Sequence, residues 1–245
     1  MRLKIPGTVL LLILPLVLFG QTAPAQPAPI PPPWLLHSSN FLITLFNLKG
    51  EDVQKLLPPG VTVKANDSGM VVAGLEMYVT DRVYGMPTYT TAFIFVEITG
   101  HDSPSGYPGH WIIWGKVDQP VALANFQHHF GLPYDAEPNL SVSMADGMHV
   151  GSVGAPGAEV VKMKIAPLAE PGMNIEGSVN VVGKNATGVI VRTEIPWFST
   201  WQKGTLVTYE ITPRGNSALE LIKSAQPFFV VTSINQIFSY SKPVQ

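Results

Sequence analysis

Residues Thr88 to Thr99 alternate with a period of two. Tyr89, Thr91, Phe93, Phe95 and Glu97 share one parity, and Thr90, Ala92, Ile94, Val96 and Ile98 the other. Successive side chains of a strand point to opposite faces, so this pattern specifies a β-strand. Both faces carry apolar residues. An edge strand, or a strand with one wet face, would show polar residues on one side. The segment is therefore expected in the centre of a sheet, or in the wall of a barrel with one face to a core and the other to a filled interior.

The rest of the chain supports a β-rich fold. Phe41–Leu48, Met70–Thr80 and Trp111–Val117 read as further strands. Beyond Leu140, short apolar runs follow one another: 140–144, 148–153, 159–165, 175–182, 189–194, 205–212, 218–223 and 228–240. Gly and Pro punctuate nearly every gap, which predicts a large antiparallel sheet, sandwich or barrel. Two helices interrupt the strands. Gly50–Leu57 carries acids at its start and a lysine near its end, with Val53, Leu56 and Leu57 as the apolar stripe and Pro58-Pro59-Gly60 as the stop. Pro120–Phe130 has proline in its first turn and Gly131 as its C-cap. No internal repeat is present.

The N-terminus predicts export. Arg2 and Lys4 precede an apolar run, Thr8 to Phe19, and Ala23-Pro24-Ala25 supplies small residues for cleavage. That order is a secretory signal peptide, expected to span residues 1–25. The run is shorter than the ~20 residues a bilayer core needs, and Pro15 interrupts it. Residues 26–33, QPAPIPPP, read as a proline-rich linker. One domain, residues 34–245, follows. The chain is expected to be secreted or periplasmic, with no membrane association after cleavage.

Charge narrows the partners. The chain has 15 basic and 17 acidic residues; without Arg2 and Lys4 the net charge is −4. A nucleic-acid binder would need a basic surface, so none is expected. Only 13% of residues are charged and 46% are hydrophobic, the composition of a large-core globular protein. There is no cysteine, which removes thiol catalysis, zinc–thiolate sites and disulfides from consideration. No nucleotide-binding or nucleophile-elbow motif is found, and the histidines lack metal-site spacing. No cofactor and no metal is read.

Three segments resemble the acetoacetate decarboxylase superfamily. They are Lys49–Val63 (KGEDVQKLLPPGVTV), the stretch from Gln119-Pro120 to Gly131-Leu132-Pro133, and Ile234–Tyr240 (INQIFSY). The order and spacing agree from about Asn40 to the end. The resemblance implies a mainly β (α+β) fold: a curved, antiparallel, β-barrel-like sheet with few short helices. It also implies Schiff-base chemistry, in which a lysine of lowered pKa attacks the ketone of a β-keto acid. Here the family's lysine pair falls on Tyr134 and Asp135, neither of which can form an imine. The family arginine falls near Ser38 or Ser39, its second carboxylate near Gly85 or Met86, and its Arg-Glu helix pair on Gln127 and His128. The family's buried glutamate matches Glu76, in Leu75-Glu76-Met77-Tyr78.

Three readings stay open at this point. The first is an exported protein of this superfamily that binds a small organic acid or ketone in an apolar pocket without Schiff-base decarboxylation. The second is a lyase, hydratase or isomerase using Glu76 with Tyr134, Asp135 or His128 as acid/base groups. The third is a decarboxylase with a relocated lysine, Lys116, Lys162 or Lys164. The family often oligomerises, so a homo-oligomer is an expectation of the resemblance alone.

Overall fold

The computed structural model describes residues 27–245, so the expected signal peptide and Gln26 lie outside the described residues. The elements run β1 (Trp34–Lys49), α1 (Gly50–Gln54), β2 (Met70–Tyr84), β3 (Thr90–Ile98), β4 (Gly109–Val117), α2 (Pro120–Phe130), β5 (Tyr134–Ala136), β6 (Leu140–Ala145), β7 (Met148–Val153), β8 (Val161–Pro167), β9 (Met173–Lys184), β10 (Ile190–Ile211), α3 (Ser217–Lys223) and β11 (Pro227–Tyr240).

Seven strands close into a ring in the order β11-β1-β2-β3-β4-β9-β10, and β10 pairs back onto β11. Pairing is antiparallel except at β4, which is parallel to β9 and to the short β5. The seam between β4 and β9 is narrow, with His110 opposite Val181 and Trp111 opposite Val182. Past Gly204, β10 leaves the ring and pairs with β8, which continues through β7 to β6. This second sheet folds over the outer face of β1–β3.

The alternation in β3 works as its sequence predicts. Ala92, Ile94, Val96 and Ile98 are fully buried in an aliphatic core between the ring and the second sheet. Val71, Ala73, Leu75 and Met77 of β2 join them there. Phe93 and Phe95, of the other parity, belong to a separate aromatic cluster inside the ring. Burying a side chain such as Leu75 or Ile94 contributes about 1.5–3 kcal/mol relative to exposure.

Two expectations are corrected. Residues 218–223 form helix α3, not a strand. Asn216 caps it by accepting from the Leu219 N–H at 3.1 Å. Ala218, Leu219 and Ile222 then fall on one buried stripe, a helical spacing. Residues 189–194 and 205–212 are parts of one 22-residue strand, β10. Pro196 lies within it, but pairing with β11 begins only at Trp197, which leaves an open side for the missing donor. The second helix keeps its expected bounds. Gln119 caps its start, and Gly131 ends it in the left-handed conformation (φ 61°, ψ 31°). The proline-rich segment docks against the middle of this helix: the Ile30 N–H donates to Asn125 Oδ1 of α2 at 2.7 Å, and Pro32 is buried.

Candidate binding and active site

The ring encloses a cavity of about 200 Å³. Its wall is largely aromatic, including Phe41, Phe93, Phe95, Trp197, Trp201 and Phe238. Trp197 and Trp201 are parallel, with centroids 5.6 Å apart. Tyr107 is 43% exposed, the most open of the lining residues, and marks the mouth.

Strand register builds the polar part of this wall. Glu76 of β2 is opposite Phe93 of β3, Phe93 is opposite Gly115 of β4, and Gly115 is opposite Tyr134 of β5. These four residues form one row across the interior. Three strand spacings separate Glu76 and Tyr134, roughly 14 Å between their backbones. Gly115 shortens the gap between their side chains. A Cβ at this position would lie 2.9 Å from the Tyr134 ring, so the glycine lets that ring lie flat over β4. The Tyr134 ring then leans toward Phe93, with centroids 6.1 Å apart. The turn at Gly131 and the Gln127 side chain, which donates to the Tyr134 carbonyl at 2.8 Å, hold β5 in place.

Glu76 makes no ion pair or hydrogen bond with any described residue. Burial alone pushes its carboxyl up to about 8, so it carries its proton near neutral pH. Burial also raises the phenols of Tyr134 and Tyr240, and the charge that Glu76 acquires on ionising raises both further. Beside them the Tyr78 hydroxyl shares hydrogen bonds with Tyr89 (3.0 Å) and Tyr240 (3.2 Å), a linked set of phenols at this end of the ring.

A second polar pair lies in the same cavity. Glu97 of β3 is directly opposite His110 of β4. Burial raises the Glu97 carboxyl and pushes the His110 imidazole down to about 3, so the ring is neutral. It stacks on Phe95 at 3.8 Å. Glu97 stands four residues along β3 from the partner of Glu76, which separates the two carboxyls' backbones by roughly 13 Å along the strand. Glu97 was legible in principle, because it has the parity of Phe93 and Phe95. His110 carries no local signal; only the register of β3 on β4 brings it inside.

The other candidates lie elsewhere. Asp135 follows Tyr134 in β5 and so points outward, where it is exposed and accepts from Lys116 Nζ at 2.8 Å. His128 is exposed on α2, and its neighbour His129 packs on Trp34 instead. The structure thus brings Glu76 and Tyr134 together and leaves Asp135 and His128 outside. Ser38, Ser39, Gly85, Met86 and Gln127 do not line the cavity either. Neither does any lysine or arginine among the described residues. Lys162 and Lys164 stand on β8, in the second sheet.

The chain, a large mixed sheet with few short helices, has an acetoacetate decarboxylase-like fold. The acetoacetate decarboxylase of Legionella pneumophila superposes with a TM-score of 0.67 over 93% of each chain, at 15% identity. The enduracididine biosynthesis enzyme MppR, complexed with pyruvate, gives 0.58 over 94% of this chain and 93% of its own, at 17% identity. An acetoacetate decarboxylase-like enzyme of Sphingomonas wittichii gives 0.57 over 86% and 92%, at 12% identity. No family model and no curated protein matches the sequence. At these identities the likeness is one of fold.

Proposed function

We propose that this protein takes a small organic acid or ketone into the aromatic cavity and does so without forming an imine to it. One observation carries this reading. The cavity of an acetoacetate decarboxylase-like fold here presents Glu76 and Tyr134 but no amine among its described lining residues. A Schiff base needs a neutral lysine within reach of the carbonyl, and the candidates Lys116, Lys162 and Lys164 all lie outside the wall. That MppR was solved with pyruvate bound supports a small oxo compound as the kind of guest. The leader-like residues 1–25 support action outside the cytoplasm.

The second reading, acid/base catalysis of a lyase, hydratase or isomerase type, is favoured by Glu76. A carboxyl that titrates near neutrality suits proton transfer, because both of its protonation states are populated at working pH. In that reading Glu76 moves the proton, and the Tyr134 hydroxyl stabilises negative charge developing on the carbonyl oxygen. Asp135 and His128 take no part from their surface positions.

Borohydride trapping in the presence of acetoacetate, read by mass spectrometry of the intact protein, tests the main reading. No mass adduct is expected, while acetoacetate or acetone perturbs the emission of Trp197 and Trp201. A lysine adduct would overturn it. Proton exchange at the carbon beside the ketone, followed by NMR in D₂O and abolished in Glu76→Gln, would establish the second reading.

A further inference from the structure

Every polar group in the cavity wall is a neutral donor, a neutral acceptor or a potential anion. Glu76 and Glu97 are acidic, His110 and Gln236 are uncharged, and the remaining polar atoms are phenols and indole N–H groups. Two of these polar atoms, Trp201 Nε1 and Gln236 Oε1, are buried without a partner among the described residues. A buried donor and a buried acceptor left unpaired are costly unless something in the cavity satisfies them. Tyr78, Phe41, Ser233 and Trp201 form a row around the ring, two positions along β2 from the row of Glu76.

From these groups we infer that the site selects an uncharged aryl or conjugated carbonyl compound over a carboxylate. The carbonyl oxygen accepts from the Glu76 carboxyl, the Tyr134 hydroxyl or the Trp201 indole, and the ring of the guest lies among Phe93, Phe95 and Trp197. A carboxylate would enter an apolar space with no cation and two acids, so its desolvation would go uncompensated. Size agrees. An apolar protein cavity of about 150 Å³ holds benzene, so about 200 Å³ holds a benzene ring bearing a short carbonyl group. The Glu76 carboxyl, protonated near neutral pH, reinforces the preference.

This inference rests on the proposed binding role of the cavity, and a matched pair of probes separates the two. Acetophenone and benzoate share a ring and a carbonyl and differ in charge. Calorimetric titration at pH 7 should show acetophenone binding at least about tenfold tighter than benzoate, since one uncompensated buried charge easily costs that factor. Glu76→Gln, whose amide still donates, should keep acetophenone binding; Glu76→Leu should weaken it while leaving benzene binding intact. Equal or tighter binding of benzoate would overturn the selectivity and leave the binding role standing. Failure of acetophenone, benzoate, benzene and acetoacetate alike would overturn both.

Discussion

Strands β2 and β3 are buried on both faces, yet the faces are chemically unlike. On the outer face Leu75, Met77, Ile94 and Val96 join one aliphatic core with side chains of the second sheet. On the inner face Phe93, Phe95 and Tyr78 share their space with Glu76 and Glu97 around an open volume. The two faces differ by one residue in parity, and both are hydrophobic by composition. What sets them apart is unmatched chemistry: the inner face holds Glu76, a buried carboxyl with no cation and no hydrogen-bond partner among the described residues. A packing surface has no use for such a group, because it costs stability. The inner face is therefore the one on which the proposed binding role rests.

The largest test of this contrast is pH. In the folded chain Glu76 keeps its proton up to about pH 8, against 4.5 for an ordinary glutamate. The native state binds more protons across that window, so stability falls as pH rises through it. The loss amounts to about 5 kcal/mol by pH 9. Glu97 adds to it in the same sense. The phenols facing Glu76, those of Tyr78, Tyr134 and Tyr240, stay protonated throughout. His110 acts oppositely. Held near 3 against an ordinary 6.5, it takes up its proton only on unfolding, so stability falls as pH drops below 6.5. His149, lowered by burial, acts in the same direction. Urea denaturation should therefore show a plateau near pH 5–6. Glu76→Gln should remove most of the alkaline descent and turn the plateau into a rise toward pH 6.5, while the profile below about pH 4.5 is unchanged. An unchanged alkaline descent in Glu76→Gln would mean that Glu76 finds a cation in solution.

The packed face should respond to volume instead. Leu75→Ala is expected to cost about 2–5 kcal/mol at any pH, with ligand affinity preserved. Parity makes the comparison sharp, since Leu75 and Glu76 are neighbours in sequence. Next in size is Gly115→Ala, whose new methyl meets the Tyr134 ring at 2.9 Å. Overpacking should lower stability by about 1–3 kcal/mol and weaken acetophenone binding, measured by calorimetry, because the ring must tilt into the cavity. The smallest effects belong outside the ring. Lys116→Ala removes an exposed pair with Asp135 and should change stability by less than about 1 kcal/mol. Neither that change nor His128→Ala should alter binding. A loss of binding in either would place those residues in the site after all.

Much of this contrast was legible in the chain. The period of two in β3 predicted two buried faces, and the apolar strand around Glu76 marked a carboxyl out of place. The match of Tyr134 to the family's lysine position led to the second residue of the row. Asp135 illustrates the limit of a linear match. A strand sends consecutive residues to opposite sides, so Tyr134 and Asp135 could not both face the cavity. His128 was misplaced because α2 presents only one stripe to the ring, and that stripe carries Phe126 and Phe130. Helix α3 was read as a strand because its buried residues are a short apolar cluster, and only Asn216 as a cap tells the two apart.

By itself, then, the sequence determined the strand-rich architecture, the two-faced strands, the helix that ends at Gly131, and the absence of cysteine chemistry. These follow from local rules: side-chain parity, capping and composition act over a few residues and need no distant partner. Tertiary structure alone decided that Glu76 shares a wall with Tyr134, that Glu97 meets His110, and that no lysine of the described chain reaches them. Each of those facts depends on register between strands far apart in sequence. A shift of one residue would have sent every one of these side chains to the opposite face.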